Sequence, residues 1–185
     1  MRRKDRERDR AFALQVMDDA AFGVLGLFDR ATDEPYTLPL SIVRDGDALY
    51  FHSAQAGRKV DLIEDGMTVS VTFVSHHHVP ACLSHDEVRD MLDAGSERKV
   101  LSKVFTTEFA SAHVVGTLHP VTDVAEKKHA LQLVCDKYTP DVADLAKTVI
   151  EQSHTYTAVY RIDMRSIAGK AKTVTADDIE RVLKA

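Results

Sequence analysis

Gly57, Arg58 and Lys59 stand together, and Val60, Leu62 and Ile63 behind them are spaced like the buried side of a short helix. A glycine N-cap would put both cations in the first helical turn, where they oppose the positive end of the macrodipole. An anion at that point resolves the conflict. Free backbone N–H groups, a positive dipole end and two cations together suit a phosphate. The plain alternative is an exposed loop with solvated basic residues, because a dipole penalty at a surface is only about 0.3 to 1 kcal/mol.

Other familiar constellations are missing from the sequence. There is no G-x-S-x-G, no P-loop and no H-E-x-x-H. His76, His77 and His78 are consecutive, and on extended chain only His76 and His78 point the same way. Without two further clear ligands they read as a solvated strand end rather than a zinc site. Cys82 and Cys135 are far apart with no C-x-x-C pattern, which suits reduced thiols, and Cys135 falls among Leu131, Val134 and Tyr138 as a packing residue.

The element that must position the cations is the ribbon before them. Asp45 and Gly46 separate two β-rich runs, residues 36–44 and 47–53, which predicts a hairpin with Arg44 opposite Asp47 and Ile42 opposite Leu49. Leu38, Leu40, Ile42, Leu49 and Phe51 then share an apolar face directed at a core. Thr37, Pro39, Ser41, Tyr50 and His52 form a mixed face able to hold a ligand or a second subunit. Pro39 cannot donate to a ladder, so it marks an edge, a bulge or backbone left open to a visitor.

Around that ribbon the pattern is of strands interrupted by helices. A helix is expected over residues 8–21, on Phe12, Leu14, Val16 and Met17, followed by a strand over residues 23–28 whose Gly23 and Gly26 suggest a bend or close approach. Residues 67–75 alternate cleanly. Residues 84–95 open on a capping box of Ser84 and Glu87, and a second short helix takes Val100, Leu101, Val104 and Phe105. Residues 108–121 form a long strand carrying His113, which reads as a structural histidine or a pocket residue. Asp123 and Glu126 start a helix, Pro140 starts another packed by Val142, Leu145, Val149 and Ile150, residues 156–167 close the sheet, and residues 175–183 form a last helix. Six strands without regular strand-helix alternation imply an α+β fold with an antiparallel barrel.

The run TLPLSIV, then DG, then LYFHSAQAGRKVDLI resembles the FMN-binding split β-barrel superfamily of pyridoxamine 5'-phosphate oxidase, and most closely its 5-nitroimidazole-resistance branch. The likeness extends over AFGVLGL, over HVVGTLHPVTDVAEKKHALQLVCDKYTP, and to a final strand ending near Gly169 and Lys170. It implies an α+β; antiparallel split β-barrel with peripheral helices, formed as a homodimer whose cofactor site is lined by both subunits.

The resemblance also implies FMN as cofactor, with its phosphate at Gly57, Arg58 and Lys59, and a hydroxyl from Ser53 beside Ala54. Leu38, Pro39, Leu40 and Ser41 would edge the isoalloxazine ring. His52 would touch cofactor or substrate as the catalytic candidate, and His113 would approach the flavin at the subunit boundary. His52 and Ser53 can both serve only if the strand ends at about His52. The activity implied is electron transfer to a small acceptor such as a nitro compound or quinone. A non-catalytic flavin-binding module and a haem-binding relative, with His52 or His113 as axial ligand, are the alternatives.

At 185 residues the chain suits a single domain spanning residues 1–185, with residues 80–105 as an insertion relative to the family pattern. The formal net charge of -5 argues against nucleic acid as partner. Residues 1–10 are basic but interleaved with Asp5, Glu7 and Asp9, which suits a solvated lead-in to the first helix. No stretch has the ~20 apolar residues a bilayer span needs, and no apolar run follows the basic start, so the expectation is a cytoplasmic protein without membrane or metal partners.

Overall fold

The computed structural model describes residues 3–79 and 83–174. A 3-10 turn, Lys4–Arg6, leads into β1 (Glu7–Arg8), α1 (Arg10–Asp19), β2 (Gly23–Asp29), β3 (Glu34–Leu40), β4 (Val43–Asp45), β5 (Ala48–Ser53) and α2 (Arg58–Leu62). Next come β6 (Met67–His78), α3 (His85–Asp93), α4 (Glu97–Lys103), β7 (Glu108–Pro120), α5 (Val124–Tyr138), α6 (Ala143–Ser153) and β8 (Ala158–Lys172). The fold is mixed α+β, with one antiparallel sheet ordered β3-β2-β6-β7-β8-β5-β4 and β1 added against β8. Helices lie at its periphery and in its concavity.

Strands β3 and β4 are consecutive in the chain yet stand at opposite ends of that order. Only Ser41 and Ile42 join them, so Leu40 and Val43 are at most about 11 Å apart. The sheet therefore curls until its two ends approach each other. Inside the curl lie Leu25, Ile42, Leu49, Phe51, Val71, Phe73, Val114 and Ile162, and α1 supplies Ala13, Val16 and Met17. Asp9 caps α1 by accepting from the Phe12 N–H at 2.8 Å, and at the other end Arg44 Nε donates to Asp18 at 3.0 Å. Outside the curl, α5 covers β4, β5 and β8 through Val43, Tyr50, Val121, Ala130, Val134 and Val159.

The hairpin forms one residue later than the sequence suggests. Asp45 pairs with Ala48, Arg44 with Leu49 and Val43 with Tyr50, so the two-residue loop is Gly46 and Asp47. A loop on Asp45 and Gly46 of the I′ kind would need positive φ at both. The observed loop needs it only at Gly46, which has φ +55°. Partners shift by two positions, which preserves the faces, and Ile42, Leu49 and Phe51 are indeed fully buried while Leu38 and Leu40 pack against them.

Several other expectations need correction. The run over residues 36–44 is not one strand, because β3 pairs with β2 and β4 with β5. The lead-in is not wholly solvated: Glu7 and Arg8 pair with Lys170 and Gly169. The strand expected over residues 67–75 runs on past a bulge through His76, His77 and His78, opposite Ala110, Phe109 and Glu108, and these three remain an exposed strand end as expected. Along α6 only Ile150 is buried. Val142, Leu145 and Val149 are 53%, 61% and 60% exposed, because the helix packs mainly on α5, with Ile150 as its buried residue. Tyr156 stands outside the last strand and is 77% exposed. In the segment over residues 97–105, Val100 is buried but Leu101 and Phe105 are exposed. The helix expected over residues 175–183, and Cys82, lie outside the described residues.

Other expectations hold. The capping box at α3 is complete, with Glu87 accepting from the Ser84 N–H at 2.7 Å and its own N–H donating back to Ser84 Oγ at 3.3 Å. Gly23 does permit close approach: a Cβ there would sit 2.7 Å from Phe73.

Candidate functional site

The start of α2 is drawn against the beginning of β3. Arg58 Nη2 lies 3.3 Å from Asp29 Oδ2 and 3.7 Å from Glu34, and its guanidinium carbon stands 4.9 Å from the Tyr36 ring centre. Tyr36, Leu38 and Leu40 alternate onto the inner face of β3, so Arg58 approaches the ribbon from its core side. Lys59 Nζ is 5.9 Å from the Phe51 ring centre, also on that side. Desolvation pushes the Lys59 ammonium below the usual lysine range. Helix α2 has five residues, so its dipole is small and the two side-chain cations carry the site's charge.

Gly57 takes φ +116°, a conformation that suits glycine, and its carbonyl accepts from the Val60 and Asp61 N–H groups. Asp29 is 9% exposed and accepts from the Ala31 N–H at 3.0 Å, the Thr32 N–H at 3.3 Å and Arg58. Burial pushes its carboxyl up, but the N–H bonds and the guanidinium outweigh it and leave it below the ordinary range.

The strand does not end at His52. Ser53 continues the ladder opposite Ala158 and is buried, whereas His52 is exposed, so the two point to opposite faces. Ser53 therefore shares the inner side with Phe51. Although His52 is open to solvent, nearby protein displaces enough water to push its imidazole down, and the Lys59 charge acts in the same direction. Ala54 is exposed just beyond the strand.

Pro39 and Ser41 are exposed, and β3 has a ladder on one side only. Ser41 belongs to neither ladder. Backbone near residues 38–41 is therefore available to a ligand. His113 lies on the outer face, with Nδ1 3.1 Å from Thr72 Oγ1. The row Pro39, Val24, Thr72, His113 crosses four neighbouring strands, which puts His113 about 14 Å from Pro39. His52 is remote from it. Its partner on β8 is Val159 and that of His113 is Ala168, about 30 Å apart along the strand. The chain brings the start of α2 to Tyr36 of β3 and to Phe51, which shares the inner side with Ser53, but does not bring His52 to His113.

Sequence reasoning missed Asp29, Glu34 and Tyr36 as neighbours of Arg58, and Tyr138 as a support. Asp29 carried a signal, since an aspartate ending a strand before a short polar loop commonly accepts from the next N–H groups. Tyr138 carried a weaker one, in that a tyrosine on a buried stripe must find a partner for its hydroxyl. The Tyr138 OH accepts from the Ile42 N–H and donates to the Ile42 carbonyl, each at 3.0 Å.

Among the described residues no three or more His, Cys, Asp or Glu side chains gather to hold a metal, and no helix is long and apolar enough to cross a membrane.

The class is an α+β one, an antiparallel sheet curled around α1, with Arg58 beside β3 and Lys59 beside β5. Residues 9–86 and 79–171 match the sequence profile of the pyridoxamine 5'-phosphate oxidase family, and the chain belongs to that family. No curated protein matches it in sequence. Among solved structures, a protein of Bacteroides thetaiotaomicron assigned provisionally to 5-nitroimidazole antibiotic resistance is 20% identical, with TM-score 0.64 over 89% of this chain and 84% of that one. A flavocytochrome of Azotobacter vinelandii is 17% identical, with TM-score 0.69 over 97% and 77%. An FAD and haem binding protein of Mycobacterium smegmatis is 14% identical, with TM-score 0.67 over 95% and 80%. At these identities the likeness is one of fold.

Proposed function

We propose that the protein binds FMN and is a flavin-dependent oxidoreductase serving a small acceptor, such as a nitro compound or quinone, within the 5-nitroimidazole-resistance branch. The observation that carries this reading is the placement of Arg58 against Tyr36 of β3 and of Lys59 against Phe51 of β5, on one side of the sheet, in a chain of this family. The fit to a phosphoester is good in charge: two cations and the Ser53 hydroxyl share one side, and Gly57 leaves the approach clear of a side chain. It requires Arg58 to exchange Asp29 and Glu34 for the ligand.

In this reading Arg58, Lys59 and Ser53 hold the phosphate, with Gly57 and Ala54 lining the approach. The backbone of Leu38, Pro39, Leu40 and Ser41 orients the ring. The bound flavin would supply the electron chemistry. His52 points to the face opposite Ser53, away from the phosphate side, so of the two only Ser53 serves the phosphate in this reading. The separation of His52 from His113 favours a site completed by a second copy across the split of the barrel, with His113 contributed by the partner.

Purified protein tests this directly. A yellow preparation whose blue absorption band is lost on adding NAD(P)H or another reductant, and restored by an acceptor, supports the reading. Bound flavin that never turns over favours a storage or sensing module. The name of one similar structure includes haem and that of another is a flavocytochrome; a strong Soret band instead of the flavin band would replace FMN by haem, ligated at His52 or His113.

A further inference from the structure

Ile42 is where the chain leaves one end of the sheet for the other, and it has no ladder partner. Its side chain is fully buried, and a Cβ on Gly23 would come within 2.9 Å of its Cδ1. Its backbone is held from outside by α5. A hydroxyl has one hydrogen and two lone pairs, so the Tyr138 OH serves both the N–H and the carbonyl of this one residue, each at 3.0 Å. Lys137 Nζ adds donors to the Met17 carbonyl at 3.0 Å and the Ile42 carbonyl at 3.4 Å. The end of α5 thus ties together the end of α1 and the crossover.

The other attachments of α5 lie elsewhere. Glu126 accepts from Tyr50 at 3.0 Å and from Arg161 at 2.9 Å, and His129 meets Asp45 at 2.8 Å. None of these touches residues 38–42. The only side-chain hydrogen bonds to the crossover backbone among the described residues come from Lys137 and Tyr138.

We infer that Tyr138 is a positioning residue whose hydroxyl fixes the backbone of residues 38–41 in the shape they offer to a flavin ring. The flavin part of this inference rests on the function proposed above. The latch itself does not. Without the hydroxyl, the Ile42 N–H loses its partner in a half-buried place and its carbonyl keeps only Lys137 at 3.4 Å, and the ribbon gains freedom before any ligand arrives. A phenylalanine would keep the ring's packing against Val43 and the core, so the substitution isolates the hydrogen bonds.

Hydrogen exchange of the free protein and FMN titration test both parts. In Tyr138→Phe, amides of residues 38–43 should exchange about tenfold faster, with β7 and β8 unchanged, and FMN should bind more weakly with an altered visible spectrum. Tyr50→Phe, which removes a hydrogen bond to Glu126 near the other end of α5, should leave residues 38–42 as they are. Unchanged exchange at residues 38–43 in Tyr138→Phe overturns the latch. Faster exchange throughout the sheet overturns it too, since the role would then be general stability. Faster local exchange with FMN affinity and spectrum unaltered overturns the role toward the flavin. If the unaltered protein takes up no FMN, the flavin reading fails while exchange still decides the latch.

Discussion

Arg58 Nη2 rests 3.3 Å from Asp29 Oδ2, so the cation best placed for a phosphoester is already engaged by a carboxylate of its own chain. Arg58 is half exposed, so this pair is worth no more than about 1 kcal/mol, whereas charge-assisted hydrogen bonds to a dianion contribute roughly 1.5 to 3 kcal/mol each. On the function proposed above, a phosphoester would win the exchange. Asp29→Asn keeps an acceptor for the Ala31 and Thr32 N–H groups while removing the competing charge. FMN affinity measured by flavin fluorescence should rise, by roughly fivefold.

Removing the cations should have the opposite effect. Arg58→Ala combined with Lys59→Ala should weaken FMN binding by about a hundredfold or more, the loss of two charge-assisted contacts. Titration of the apoprotein reads it, and unchanged affinity would move the phosphate elsewhere.

The depressed His52 imidazole gives a sign for pH dependence. Burial first, and the Lys59 charge second, favour the neutral ring in the folded chain. The unfolded chain therefore binds a proton at a pH where the folded chain does not, and stability falls as pH drops below the ordinary histidine value of about 6.5. Denaturation midpoints for His52→Gln should vary less with pH between about 5 and 7 than those of the unaltered protein.

Gly116 sits at the bulge where β7 crosses β8, and a Cβ there would stand 2.5 Å from Ile162 Cγ2 and 2.6 Å from the Asp163 carbonyl oxygen. One of those neighbours is backbone. Gly116→Ala should cost about 1 to 3 kcal/mol by urea denaturation, an overpacking effect rather than a cavity.

Helix α6 offers an internal contrast. Ile150→Ala should lose about 2 to 4 kcal/mol, while Val149→Gln, one residue away and 60% exposed, should stay within about 0.5 kcal/mol. Equal losses would mean that the outer face of α6 is covered in solution.

The inner faces of the sheet were legible because side-chain alternation survives a slip of two in pairing partners. That is why Leu49 and Phe51 were correctly assigned to the core although their partners were not. The turn was misplaced by one residue because Asp45 and Gly46 satisfy a general preference, while the backbone needed glycine at the first loop position only. What stayed hidden depends on distant pairings. Nothing local indicates that residues 34–40 and 43–45 belong to opposite ends of a sheet, that Arg58 would meet Asp29, or that Val142, Leu145 and Val149 would face outward. The branch of the family, the cofactor and the acceptor rest on residues whose ligand contacts sequence spacing does not report.

The short bridge of Ser41 and Ile42 also constrains how the molecule can assemble and evolve. Neighbours in sequence there are committed to partners that arrive from opposite directions, Gly23 on one side and Tyr50 on the other, so each edge is a local hairpin and only this bridge joins the two. Closing the circuit must await the distant ladders, which makes for slow, highly cooperative folding. A single inserted residue at this bridge would widen the girth of the whole domain, whereas the same insertion beside Asp47 would merely lengthen a loop.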